Sequence, residues 1–92
     1  MAYEIKVSSV AEEHLAKLKK SEPASHKKAN KLFNELKDHP YTGTGHPEQL
    51  KGGYYAECYS RRISEKHRLI YQINDDIVVV HVLAAYGHYN DK

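Results

Sequence analysis

At 92 residues the chain is long enough for one hydrophobic core and too short for two, so a single domain over residues 1–92 is expected. Apolar residues at 40% and charged residues at 28% exclude a disordered chain, and a net charge of +2 is too small to point to nucleic acid by itself. The lone cysteine, Cys58, excludes an internal disulfide; no apolar run marks a secretion signal or membrane span, so a cytoplasmic location away from membranes is expected.

Taken in order, Tyr3, Ile5 and Val7 alternate with Glu4 and Lys6, the period of a half-buried strand. Ser9-Val10-Ala11-Glu12 has the spacing of a capping box and predicts a helix start at Ser9. Ala11, Leu15 and Leu18 form its apolar stripe, and Ser21-Glu22-Pro23 interrupts it, because proline suits a first helical turn and not an interior. A second helix is expected to run to about Asp38 with Ala29, Leu32, Phe33 and Leu36 buried, while Lys27, Lys28, Lys31 and Lys37 fall largely outside that stripe, on a face that is either solvated or laid against a polyanion. Residues 39–53, rich in glycine and proline, read as a loop. Three strands follow, at about 54–63, 67–73 and 77–86, the last two joined at Asn74-Asp75-Asp76. The final strand is apolar on both faces, which suits a central position. The order β-α-α-β-β-β gives an α+β fold with two helices packed on a largely antiparallel sheet.

All three arginines, Arg61, Arg62 and Arg68, lie in the stretch SRRISEKHRLIY. If Ser64 to Lys66 is a three-residue loop, Ile63 faces His67 and Arg62 faces Arg68, with both guanidinium groups on one side of the sheet. Like charges opposed across strands are destabilising, so a fold that keeps such a pair has an anion to put there. The planar fork of arginine suits phosphate, here the phosphate of RNA. Cleaving RNA by internal transesterification needs a base for the 2′-OH, an acid for the leaving 5′-oxygen, and positive charge at the phosphorane. Arg68 and Arg62 offer the charge, Glu48 is a candidate base and His88 a candidate acid, with Tyr89 placed to stack on a base or bond a phosphate oxygen.

The other histidines read as structure or surface: His14, His26, His39 and His46 solvated, His81 a core residue, His67 either orienting a neighbour or ending a strand. With neither HExxH nor paired cysteines, no metal site and no cofactor are expected. Cys58 reads as a small strand residue, and Tyr54 and Tyr55 are candidates to meet a base.

Together GTGHPEQLK, SRRISEKHRLIY and the final GHY resemble the YoeB/Txe toxins of the RelE superfamily, in which a G-x-G-x-P-E-x-L-K loop, an SRRI strand, an HRLVY strand and an ending His-Tyr recur in this order. The resemblance covers most of residues 22–89. It implies a RelE-like α+β fold and metal-independent, ribosome-associated cleavage of mRNA. By position it makes Glu48 the general base, Arg68 the transition-state arginine, His88 the general acid and Tyr89 the terminal tyrosine. Lys51 and Arg62 match accessory phosphate-binding positions. It implies a cognate antitoxin and mRNA on the ribosome as partners, and operator DNA only through the antitoxin complex; a homodimer stays open. The chain departs from the pattern in Tyr59 where tryptophan is usual, in an extra residue between Leu50 and Ser60, and in Asn90-Asp91-Lys92 after the tyrosine. The alternative is a non-catalytic inhibitor or partner-binding module on the same fold, like the gyrase-binding ParE group.

Overall fold

The computed structural model describes residues 3–45, 47–50, 58–75 and 79–85. Strand β1 (Glu4–Val7) leads into helix α1 (Ser9–Ser21), which turns at Glu22 into helix α2 (Pro23–Asp38). A two-residue strand β2 (Glu48–Gln49) precedes β3 (Tyr59–Arg62), β4 (Arg68–Asn74) and β5 (Val79–Ala84). The expected order therefore stands, with β2 added inside the stretch read as loop. Two residues are too few to show alternation, and it is pairing with β3 that makes them a strand. Residues 54–57, 76–78 and Tyr86 of the expected strands and turn lie outside the described residues.

Ser8, not Ser9, caps α1. Its hydroxyl accepts from the Ala11 amide at 3.0 Å, its backbone carbonyl accepts from Glu12, and Ser9 is already helical. Either serine satisfies the local chemistry; Ser8 is the one that β5 engages, donating its amide to Val82 O (2.9 Å) and its hydroxyl to Leu83 O (3.1 Å). Helix α2 starts on Pro23, whose missing N–H would be unsatisfied there anyway.

The sheet has the order β1-β5-β4-β3-β2, with β1 parallel to β5 and the other neighbours antiparallel. One face carries the helices. Ala11 and Leu18 of α1 and Ala29, Leu32 and Leu36 of α2 pack with Leu69, Tyr71, Val80 and Val82 of the sheet. Each fully buried leucine there stabilises the fold by about 1.5–3 kcal/mol. Phe33 and Leu15, expected on the same stripes, are half-buried at its edge.

A register shift between Ile70 and Tyr71 lets Ile70 face Ala84 while Tyr71 faces Val82. Ile70 and Ala84 thereby join Leu50 and Cys58 in a second, smaller apolar cluster. Alternation puts that cluster on the face away from the helices, where it underlies the candidate site.

Two histidines expected in solvent or beside the site do other work. His14 of α1 is half-buried and its Nδ1 accepts from the Ala85 amide at 3.1 Å, holding the end of β5; burial, with Lys17 nearby, lowers its pKa. His67 is buried and its Nε2 meets Glu22 Oε2 at 2.8 Å, tying the hairpin to the α1–α2 junction and away from the arginine cleft. That bond holds Glu22 below the usual carboxylate range.

Candidate functional site

The consecutive arginines of β3 point to opposite faces of the sheet, and this alternation divides their labour. Arg61 lies on the helix face with no exposed surface. Its Nε donates to the Tyr71 hydroxyl (3.0 Å) and its Nη1 to Glu35 Oε1 (3.0 Å) and Thr44 O (3.5 Å). Its Nη2 donates to the carbonyls of Thr42 (2.6 Å) and His39. Tyr71 in turn donates to Pro40 O at 3.1 Å, and the Thr44 amide donates to the same Glu35 oxygen that takes Arg61. Hydrogen bonds from Thr44, with Arg61 alongside, hold Glu35 below the usual carboxylate range. The buried guanidinium and tyrosine, with the half-buried carboxylate, thus bind four residues of the segment that follows α2.

Both glycines of the G-x-G motif are required by this arrangement. Gly43 has φ +122°, and a Cβ there would stand 2.5 Å from Glu35 Oε1 and 3.1 Å from Arg61 Nη1. Gly45 has φ +88°; a Cβ would stand 2.9 Å from Arg62 O, where the two backbones close up as the Arg62 amide donates to Gly45 O at 2.6 Å. Only glycine takes these conformations without strain.

On the opposite face, Arg62 and Arg68 are direct cross-strand partners, and Ile63 receives His67 O as its hydrogen-bond acceptor across the turn. The Ser64 hydroxyl closes that turn by accepting from the Lys66 and His67 amides, both at 3.2 Å. Glu48 of β2 pairs with Ser60, two residues from Arg62, so it shares the arginine face. Gly45, Glu48, Ser60, Arg62 and Arg68 line an open cleft of roughly 300 Å³. Ser60 is buried, Arg68 half-buried, and Arg62 and Glu48 are exposed. The Nη1 of Arg68 is buried without a hydrogen-bond partner among the described residues. A buried charged donor left unmade is costly, and an anion in the cleft would satisfy it and quiet the repulsion between the two guanidinium groups.

Of the residues singled out from sequence, the fold brings Glu48, Arg62 and Arg68 together. Lys51, His88 and Tyr89 lie outside the described residues, as do His46, Tyr54 and Tyr55. Sequence reasoning did not single out Arg61, Glu35 and Tyr71. The available signal was parity: two neighbouring arginines in one strand cannot both face the same ligand.

A family model for the YoeB-like toxin of bacterial type II toxin-antitoxin systems matches residues 8–89. The chain belongs to this family. Toxin YoeB of Escherichia coli K12 is 41% identical over 54 residues, which are 59% of this chain and 63% of that toxin's length. Among solved structures, the YoeB/ParE toxin from Agrobacterium tumefaciens superposes with a TM-score of 0.85 at 27% identity, covering 94% of this chain and 99% of its own. The toxin fold in the YoeB-YefM complex from Staphylococcus aureus gives 0.78 at 29% identity, covering 97% and 100%. In this YoeB-like chain the family's loop and hairpin motifs form the two sides of the cleft, GTGHPE contributing Gly45 and Glu48, SRRI contributing Ser60 and Arg62, and HRL contributing Arg68.

Proposed function

We propose that this chain is a ribosome-dependent endoribonuclease that cleaves mRNA without a metal and is held inactive by a cognate antitoxin. The observation that carries this reading is the cleft itself: a carboxylate facing two arginines, one with a buried guanidinium nitrogen that has no partner among the described residues. Glu48 takes the proton of the 2′-OH, and its exposure suits a group that must meet substrate. Arg68 stabilises charge that develops on the phosphorane, with Arg62 holding the ground-state phosphate. His88 protonates the 5′-oxygen, Tyr89 stacks on a base, and Lys51 adds a phosphate contact. None of these steps calls for a metal or organic cofactor.

The antitoxin reading rests on family membership and on the S. aureus relative, solved as a complex with YefM. An acidic segment that folds onto the arginines would cover the cleft and neutralise the like-charged pair. Operator DNA is reached only through that complex, and the cytoplasm, where messages are translated, is the place of action. Among the described residues no helix is long and apolar enough to cross a membrane.

Cleavage of a reporter message in a translating extract tests the proposal. Wild type should cut ribosome-bound message, and Arg68→Ala should lose about 10²- to 10³-fold in single-turnover rate, far more than Lys51→Ala. Growth inhibition without cleavage would replace this reading by a binding role such as gyrase inhibition.

A further inference from the structure

We infer that Arg61 is a positioning residue for the cleft: from the opposite face of the sheet it attaches the segment that carries Glu48, and so sets the distance between that carboxylate and the arginines. The inference rests on the endoribonuclease reading for its effect on rate and on geometry alone for its effect on the loop.

Apart from Tyr41, whose ring meets Tyr59 edge-on and whose hydroxyl donates to Asp75, the segment after α2 has little apolar surface with which to hold itself against the sheet. Residues 39–45 are held by polar anchors instead. Arg61 takes the carbonyls of His39, Thr42 and Thr44, and its partners Tyr71 and Glu35 take Pro40 O and the Thr44 amide. Arg61 and Tyr71 are fully buried, and Glu35, half-buried, is bound to Arg61. The next anchor among the described residues is Gly45, whose carbonyl takes the Arg62 amide, and three residues later Glu48 pairs with Ser60. The chain therefore enters the cleft from a point defined on its far side. Arg61 does not line the cleft, yet its immediate neighbour Arg62 does, so one strand fixes both the loop and the phosphate-binding group.

Lysine in place of Arg61 keeps the charge and loses the five-donor fork that reaches several carbonyls at once. Misplacing a reacting group by about 1 Å costs about 10²-fold in rate. Arg61→Lys should thus lower kcat by about that factor while leaving KM within a few-fold, because Arg62 and Arg68 still bind phosphate. Gly43→Ala, whose new Cβ would displace Glu35 from Arg61, should reproduce the loss, and the double variant should be little worse than either alone. Hydrogen exchange supplies a readout independent of cleavage: the Thr44 and Arg62 amides should exchange about tenfold or more faster in Arg61→Lys, with β5 amides unchanged.

Faster exchange at Thr44 and Arg62 alone supports the inference, even if the wild type proves unable to cleave RNA, in which case the endoribonuclease reading fails and the loop attachment stands. Unchanged exchange at both amides would overturn it, as would acceleration spread evenly over β5, which marks plain loss of stability. So would equal falls in kcat and in affinity for a 2′-deoxy RNA analogue.

Discussion

The opposed pair Arg62 and Arg68 should make the free protein less stable than it would be with one of them removed. The two residues face each other directly across β3 and β4, which puts their Cβ atoms about 4.5–5.5 Å apart. For charges about 6 Å apart, Coulomb repulsion is about 0.7 kcal/mol at the dielectric of water and about 2.8 kcal/mol at an effective value of 20. Arg62 is exposed and Arg68 half-buried, so the lower part of that range applies, about 1 kcal/mol. Arg62→Gln removes one charge, keeps a shorter polar side chain and leaves the amide that binds Gly45 intact. At low ionic strength in chloride this variant should melt about 4–8 °C above wild type, the shift that 1 kcal/mol gives in a small domain. Added phosphate should reverse the order. An anion at about 100 times its dissociation constant stabilises the protein by about 2.7 kcal/mol, and the variant has lost half of its clamp. Circular-dichroism melts in chloride and in phosphate at matched ionic strength read both effects. A variant no more stable than wild type in chloride, or one that gains as much from phosphate, would refute the argument that the pair is kept for an anion.

Three further outcomes follow from the same geometry and chemistry. His88→Ala should lose most of its activity on normal RNA and little on a substrate whose leaving group needs no proton; equal losses on both, in single-turnover assays, would make His88 a binding residue. Gly45→Ala should destabilise the fold by more than about 1 kcal/mol in urea titrations, because φ +88° and the nearby Arg62 carbonyl leave no room for a methyl group. Stability should also vary with pH in two windows. Hydroxyl donation from Tyr3 and Tyr41 depresses Asp75, and hydrogen bonds from Thr44 depress Glu35, so each contributes stability above the ordinary carboxylate pKa that is lost as pH falls through its lowered value. His14 is also depressed, so the unfolded chain takes its proton first, and stability should rise with pH from the lowered value up to about 6.5. His14→Gln should flatten that second slope in denaturant midpoints measured against pH.

Much of the fold was legible locally. Apolar spacing marked both helices, Pro23 marked their junction, and the parity of SRRISEKHRLIY placed Arg62 opposite Arg68, because in each case the signal and the structure lie within a few residues of one another. The motif spacing likewise led to Glu48, which the short strand β2 brings to the arginine face. What sequence alone did not determine are the contacts made across the chain. Glu35 meets Arg61, Glu22 meets His67, and His14 meets Ala85, each pair joined only when the helices close over the sheet. The choice of Ser8 over Ser9 as helix cap belongs with them, since the two hydroxyls are locally equivalent and β5 selects between them. Arg61 and Arg62 are likewise adjacent and chemically identical. Alternation along a strand sends them to different faces, but which face is buried depends on helices 23 residues or more away in sequence, and that burial is what makes one arginine an internal anchor and the other a ligand for anions.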